Sequence, residues 1–162
     1  MDLGLGGRAC IVTGASRGIG LETAKALCSE GAAVLLVARN EGPLREAVEA
    51  CAPLGGRAES LALDATAPGS AERMAEECDR RFGSLDVLVN NAGTSSVTPF
   101  EELTDEDWQL QWELNVLSPM RLMRAVAPRM AERGWGRIVN VASSSGKRPS
   151  STNMAYSVTK AG

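Results

Sequence analysis

The sequence predicts an α/β fold: a doubly wound parallel sheet with helices on both faces. Three observations lead there. Short strand-like runs alternate with helical segments along the whole chain. Most of those runs are apolar on both faces, as strands buried between two helical layers must be. Glycines and polar residues gather where the strands end: Gly14 to Gly20, Arg39, Asp64, Asn90 to Gly93, and Ser143. Right-handed crossovers wind such a sheet in two directions, and its ligand crevice lies at the carboxyl ends of the strands.

Each element has its own local reason. Ala9-Cys10-Ile11-Val12 is a buried strand running into Thr13-Gly14. A helix follows from about Gly18 to Glu30, with Ile19, Leu21, Ala24, Leu27 and Cys28 on one face and Gly31 as its C-cap. Val34 to Val37 is the second strand. Pro43 suits the first turn of the next helix, which runs to about Ala52. Gly55-Gly56 makes a turn, and Ala58 to Leu63 is a third strand ending at Asp64. Ser70 is placed to N-cap a helix through Phe82. Leu85 to Val89 is the fourth strand, ending at Asn90, and Thr94 to Phe100 is a loop.

Thr104, with Asp107 three residues on, caps a long helix whose interior includes Leu110, Leu114, Leu117 and Met120. Pro119 and Pro128 should kink or interrupt it. Residues 101–113 are acidic, while residues 121–137 carry five arginines, the distribution a helix macrodipole favours. The other reading of that arginine cluster is a phosphate site. Arg137 to Val141 is a fifth strand. A polar loop from Ser143 to Asn153 leads into a helix carrying Tyr156 and Lys160.

Composition narrows the chemistry. The chain has 162 residues, read as one domain spanning 1–162. Its net charge of -3 weighs against nucleic-acid binding. Cys10, Cys28, Cys51 and Cys78 form no C-x-x-C pair and read as buried free thiols rather than metal ligands. No secretory leader or membrane-spanning run is apparent, so a cytoplasmic protein is expected. There is no histidine, which removes serine–histidine, cysteine–histidine and histidine–metal mechanisms. There is one tyrosine, Tyr156, so any phenol chemistry runs through one position.

Thr13-Gly14-Ala15-Ser16-Arg17-Gly18-Ile19-Gly20 joins strand to helix. Glycines let the backbone approach a diphosphate, and the helix N-terminus offers free N–H groups. The spacing is G-x-x-x-G-x-G, not the commoner G-x-G-x-x-G. The second strand ends Val37-Ala38-Arg39, with no carboxylate to bind ribose hydroxyls. Arg39 and Arg17 could instead grip a 2′-phosphate, which favours NADP(H) over NAD(H). The alternative for Arg39 is a solvated loop charge. Tyr156 and Lys160 are four residues apart and share one helix face. An ammonium beside a phenol stabilises the phenolate, which equips Tyr156 as an acid/base without histidine.

Thr13 to Gly20, Asn90-Asn91-Ala92-Gly93, Ser143 and Tyr156-x-x-x-Lys160, in this order and spacing, resemble the short-chain dehydrogenase/reductase family. Within it the chain looks most like the 3-oxoacyl-(acyl carrier protein) reductase branch. The resemblance implies a Rossmann-like fold and hydride transfer between NADP(H) and a ketone or secondary alcohol. It implies that Tyr156 exchanges the proton at the substrate oxygen. Ser143 would bond the same oxygen, although Ser144 and Ser145 adjoin it. Lys160 would hold the nicotinamide ribose. Asn115 would support a water relay to Lys160; otherwise it is a helix-surface residue. The expected cofactor contacts are Gly14, Ser16, Arg17, Gly18, Ile19, Gly20, Arg39, Asp64, Asn90, Ala92, Gly93, Tyr156 and Lys160, with no metal.

Members of the family run to roughly 250 residues, an ordinary size for one α/β domain. A chain stopping two residues after Lys160 is therefore expected to be cut short after its fifth strand, leaving an apolar open edge. The complete protein is expected to be a homodimer or homotetramer. A non-catalytic NADP-binding fragment or sensor is the alternative function, and a structural protein that kept the fold is a third. The substrate, a small carbonyl compound or alcohol such as a 3-oxoacyl thioester, is not legible.

Overall fold

The computed structural model describes residues 3–162. Five strands form one sheet: β1 (Ala9–Thr13), β2 (Ala33–Ala38), β3 (Arg57–Ala62), β4 (Val87–Asn90) and β5 (Arg137–Asn140), in the order β3-β2-β1-β4-β5. Every pairing is parallel. The strand order reverses at β1, where β2 lies on one side and β4 on the other. This is the doubly wound, Rossmann-like sheet, and it puts the crevice at the ends of β1 and β4.

Among the described residues six α-helices connect and flank the strands: α1 (Gly18–Ser29), α2 (Glu41–Cys51), α3 (Ser70–Phe82), α4 (Asp105–Trp112), α5 (Ser118–Glu132) and α6 (Met154–Ala161). Alternate residues of the central strands feed two cores. Ile11, Leu35 and Leu88 pack with Met74, Leu122 and Val126 from α3 and α5. Cys10, Val12, Val34 and Leu36 pack on the other face with Ala24, Cys28, Leu44 and Cys51 from α1 and α2. That two-sided burial is why the strand segments read as continuous apolar runs. All four cysteines are buried free thiols. Burial pushes the Cys10 and Cys28 thiols up to about 12, which keeps them protonated and unreactive.

One local expectation differs from what forms, and others are refined. Ser70 does not cap α3. Gly69, at φ +73, is the N-cap, and the Ser70 hydroxyl donates to the Ala65 carbonyl at 2.8 Å. The long helix is interrupted near Pro119, as the sequence suggests. It passes through a π-helical turn at Glu113–Leu117 between α4 and α5. Pro119 follows Ser118, where a proline, having no N–H for the carbonyl four residues back, is best tolerated in the first turn of the new helix. Pro128, by contrast, lies inside α5 without ending it. Three of the arginines in this stretch are ion-paired: Arg129 and Arg133, the latter at the C-cap of α5, with Asp79 of α3, and Arg121 with Glu113. The Thr104–Asp107 capping box forms as the sequence suggests.

The sheet is finished unevenly. β5 is an edge strand, and Val139 on it is 49% exposed. No helix of the described residues is long and apolar enough to cross a membrane.

Candidate active site

The loop from β1 to α1 sets one wall of the site. Gly14 and Gly18 take φ +64 and +56, conformations that favour glycine. Gly20 has a different reason: a Cβ there would lie 2.3 Å from the Gly14 carbonyl oxygen. A Cβ at Gly14 would meet the Ala92 backbone at 2.9 Å. The glycines thus let the loop press against the segment leaving β4 as well as against a ligand. Arg17, the N-cap of α1, makes no side-chain cap, and the first turn holds no acid. The first N–H groups of α1 therefore stay available to an anion.

Two residues absent from the expected site weld that contact. The Thr13 hydroxyl accepts from the N–H groups of Asn91 and Ala92 at 3.1 and 3.0 Å. The Asn91 amide donates to the Thr13 and Gly14 carbonyls at 3.0 and 3.2 Å. The signal for Asn91 was its place beside Asn90, but only the fold brings it to residues 77 and 78 positions away.

A cleft of about 520 Å³ opens over these strand ends. Gly14, Ser16, Arg17, Gly18, Ile19, Arg39, Asp64, Ala92 and Gly93 all line it. Ile19 is 67% exposed, unusual for an isoleucine on a core-packed helix and consistent with an apolar shelf at the cleft rim. Asp64 accepts from the Thr66 N–H and hydroxyl at 2.9 and 2.7 Å. Those two bonds, and less strongly the Arg39 guanidinium, lower its carboxyl below the usual range. Asn90 lies elsewhere: it is buried at the end of β4, and its amide donates to the Asn140 side chain at 2.8 Å. The glycine bends, the uncapped helix start and the two arginines lining the cleft fit a dinucleotide with an anionic centre.

The second wall carries the polar side chains. The Val141 N–H donates to the Asn90 carbonyl at 2.9 Å, and the Lys160 ammonium donates to the Val141 carbonyl at 2.8 Å. Lys160 Nζ lies 5.8 Å from the centre of the Tyr156 ring. A Cβ at Gly93 would sit 3.0 Å from Asn115 Oδ1 and 3.7 Å from Lys160 Nζ, so all three residues meet at the end of β4. Asn115 lies in the π-helical turn and clamps Thr94 from both sides, accepting from its N–H and donating to its carbonyl, each at 3.1 Å. Its amide also reaches the Thr159 hydroxyl at 3.0 Å. Ser143 Oγ accepts from the Ser145 N–H at 3.2 Å, which leaves its hydroxyl hydrogen for another acceptor. The turn after it packs on α6 through Gly146, where a Cβ would lie 2.6 Å from the Lys160 carbonyl oxygen.

Known proteins resemble this chain in sequence and in fold. The family model for short chain dehydrogenases matches residues 8–162. The ketoacyl reductase HetN of Nostoc sp. is 37% identical over 158 residues, covering 98% of this chain and 55% of that protein. L-sorbose reductase from Gluconobacter frateurii, solved with NADPH and L-sorbose, superposes with a TM-score of 0.94 at 40% identity, covering 99% of this chain and 62% of that one. An NAD⁺-bound xylitol dehydrogenase superposes with a TM-score of 0.92 at 32% identity, covering 97% of this chain and 61% of that one. The chain thus spans a little over half the length of these relatives. With the family model matched over nearly all of its residues, the chain belongs to the short-chain dehydrogenase family of oxidoreductases.

Proposed function

We propose that the intact protein is an NADP(H)-dependent reductase or dehydrogenase acting on a ketone or secondary alcohol. A 3-oxoacyl thioester is one substrate that fits the HetN likeness. The carrying observation is the convergence of Asn115, Gly93 and Lys160, with Tyr156 one helical turn before Lys160, at the end of the glycine-lined cleft. When bound, the nicotinamide supplies or accepts the hydride. Gly14, Ser16, Gly18, Ile19, Ala92 and Gly93 shape its cleft, with the α1 N-terminus facing its diphosphate. Gly20 acts indirectly, by letting the loop close on Gly14, and Asn90 by holding the backbone of Val141. Arg39 and Arg17 line the same cleft and select the 2′-phosphate, while Asp64 contacts the adenine.

At the reacting end, Tyr156 gives or takes the proton at the substrate oxygen. The Ser143 hydroxyl donates to that oxygen as negative charge develops on it. Lys160, held by Val141, sets its side-chain nitrogen near the phenol ring and would hold the nicotinamide ribose. Asn115 holds the backbone at Thr94 and lies close to Lys160. The chain is a single Rossmann-like unit of a cytoplasmic homo-oligomer on this reading. Tyr156→Phe in the intact protein should lower turnover by about a hundredfold or more and leave NADPH binding, read by cofactor fluorescence, unchanged. Parent-like turnover would overturn the assignment.

A further inference from the structure

Gln111 is the one buried residue of α4, 2% exposed on a helix that otherwise meets solvent or is half-covered. A polar residue in that place needs a reason, because an apolar side chain of equal size would bury at less cost. The reason is a short bond. Gln111 Nε2 donates to Ser96 Oγ at 2.7 Å. Gln111 Oε1 accepts from the Asn115 amide at 3.4 Å. The first bond dominates. The Asn115 amide has two hydrogens and closer acceptors at the Thr94 carbonyl and the Thr159 hydroxyl, 3.1 and 3.0 Å away.

Ser96 belongs to the loop leaving β4. One side of this loop is tied to the helix by Thr94–Asn115 and Ser96–Gln111. The other side is tied to the segment that enters α6. Asn153 donates to Ser95 Oγ at 3.0 Å, and the Thr98 N–H donates to the Thr152 carbonyl at 3.1 Å. The loop therefore bridges the helix carrying Asn115 and the approach to Tyr156. We propose that Gln111 is a positioning residue, whose buried amide holds the Thr94–Ser96 loop in the place from which it walls the substrate. It is not among the residues lining the cleft and acts through Ser96.

The kinetic part of this proposal rests on the functional reading above; the structural part does not. The test uses Gln111→Met in the intact protein, which keeps length and removes both hydrogen bonds. Amide exchange at Thr94–Ser96, measured without cofactor or substrate, should speed up about tenfold. KM for the carbonyl substrate should rise by a similar factor, while NADPH affinity stays within about twofold. Ser96→Ala should give the same changes, and the double variant should be no worse than either single one. Unchanged exchange and KM in Gln111→Met, or additive effects in the double variant, would overturn the proposal. Should Gln111→Met fail to fold, Ser96→Ala carries the test alone, and parent-like exchange in it is the overturning result. Should the parent protein reduce no carbonyl compound with NADPH, the functional reading fails, and the exchange measurement still decides the role of Gln111.

Discussion

The two walls of the site are built from different materials. The β1–α1 wall is made of backbone: glycine bends, a free helix start, and carbonyls held by Asn91. The opposite wall is made of side chains on α6, the π-helical turn and two loops, joined by Asn115, Lys160, Gln111 and Asn153. Glycines lose more backbone freedom on ordering than other residues, and here they are anchored to strands buried on both faces. Side-chain networks demand that many partners be ordered together. The first wall rests on β1 and β2, which are buried almost throughout, and the second stands next to the exposed edge strand β5. The difference teaches that the glycine-loop wall is shaped mainly by backbone and the opposite wall mainly by side-chain contacts, although both depend on bonds between distant segments.

That contrast can be broken at the backbone wall first. Gly20→Ala forces a Cβ against the Gly14 carbonyl oxygen. It should cost about 3 kcal/mol in chemical denaturation and weaken cofactor binding with it. Gly18→Ala meets nothing within 4 Å and pays only for its positive φ, about 1–2 kcal/mol. Equal losses at the two positions would mean that the loop does not press on its own backbone. Next in size is Arg39→Ala. On the proposed function, NADPH affinity should fall about tenfold and NADH affinity stay level, because the bond lost would be the one to the 2′-phosphate. Unchanged NADPH affinity would remove Arg39 from the cofactor selection.

The smallest effect concerns the scaffold beneath both walls. Arg80 and Arg81 on α3 bond Glu77 and lower its carboxyl from 4.5 to about 2. A group depressed in the folded state adds stability above its unfolded value, and that stability is lost as pH falls. The Glu77 contribution should be full above about pH 4.5 and fade toward pH 2. It is small, since Arg80 is largely exposed. Comparing Tm for the parent and Glu77→Gln across this window checks it. The two curves should approach each other as the solution is acidified, and parallel curves would contradict the pairing.

Much of this molecule was legible along the chain, and the reason is local. The strands showed because burial on both faces leaves no polar alternation to hide them, as at Val34 to Val37. Tyr156 and Lys160 showed because four residues is one helical turn. What stayed hidden was contact between distant segments. Ser70 resembles an N-cap in one dimension, yet its hydroxyl goes to Ala65. Asn90 was easier to notice than Asn91, yet it is Asn91 that holds the glycine loop. Gln111 gave no signal at all, because nothing in an acidic, capped helix says which residue will be buried.

The amino-acid sequence by itself determined the layer order, the glycine loop, the absence of histidine chemistry and the tyrosine–lysine pair. These follow from hydrophobic period, residue type and spacing within a few residues. Only the tertiary structure decided which residues hold the site in place: Thr13 to Asn91, Lys160 to Val141, Asn115 to Thr94, Gln111 to Ser96. A hydrogen bond is directional and short-ranged, so its partner is chosen by the final position of two elements. No pattern along one of them can name it.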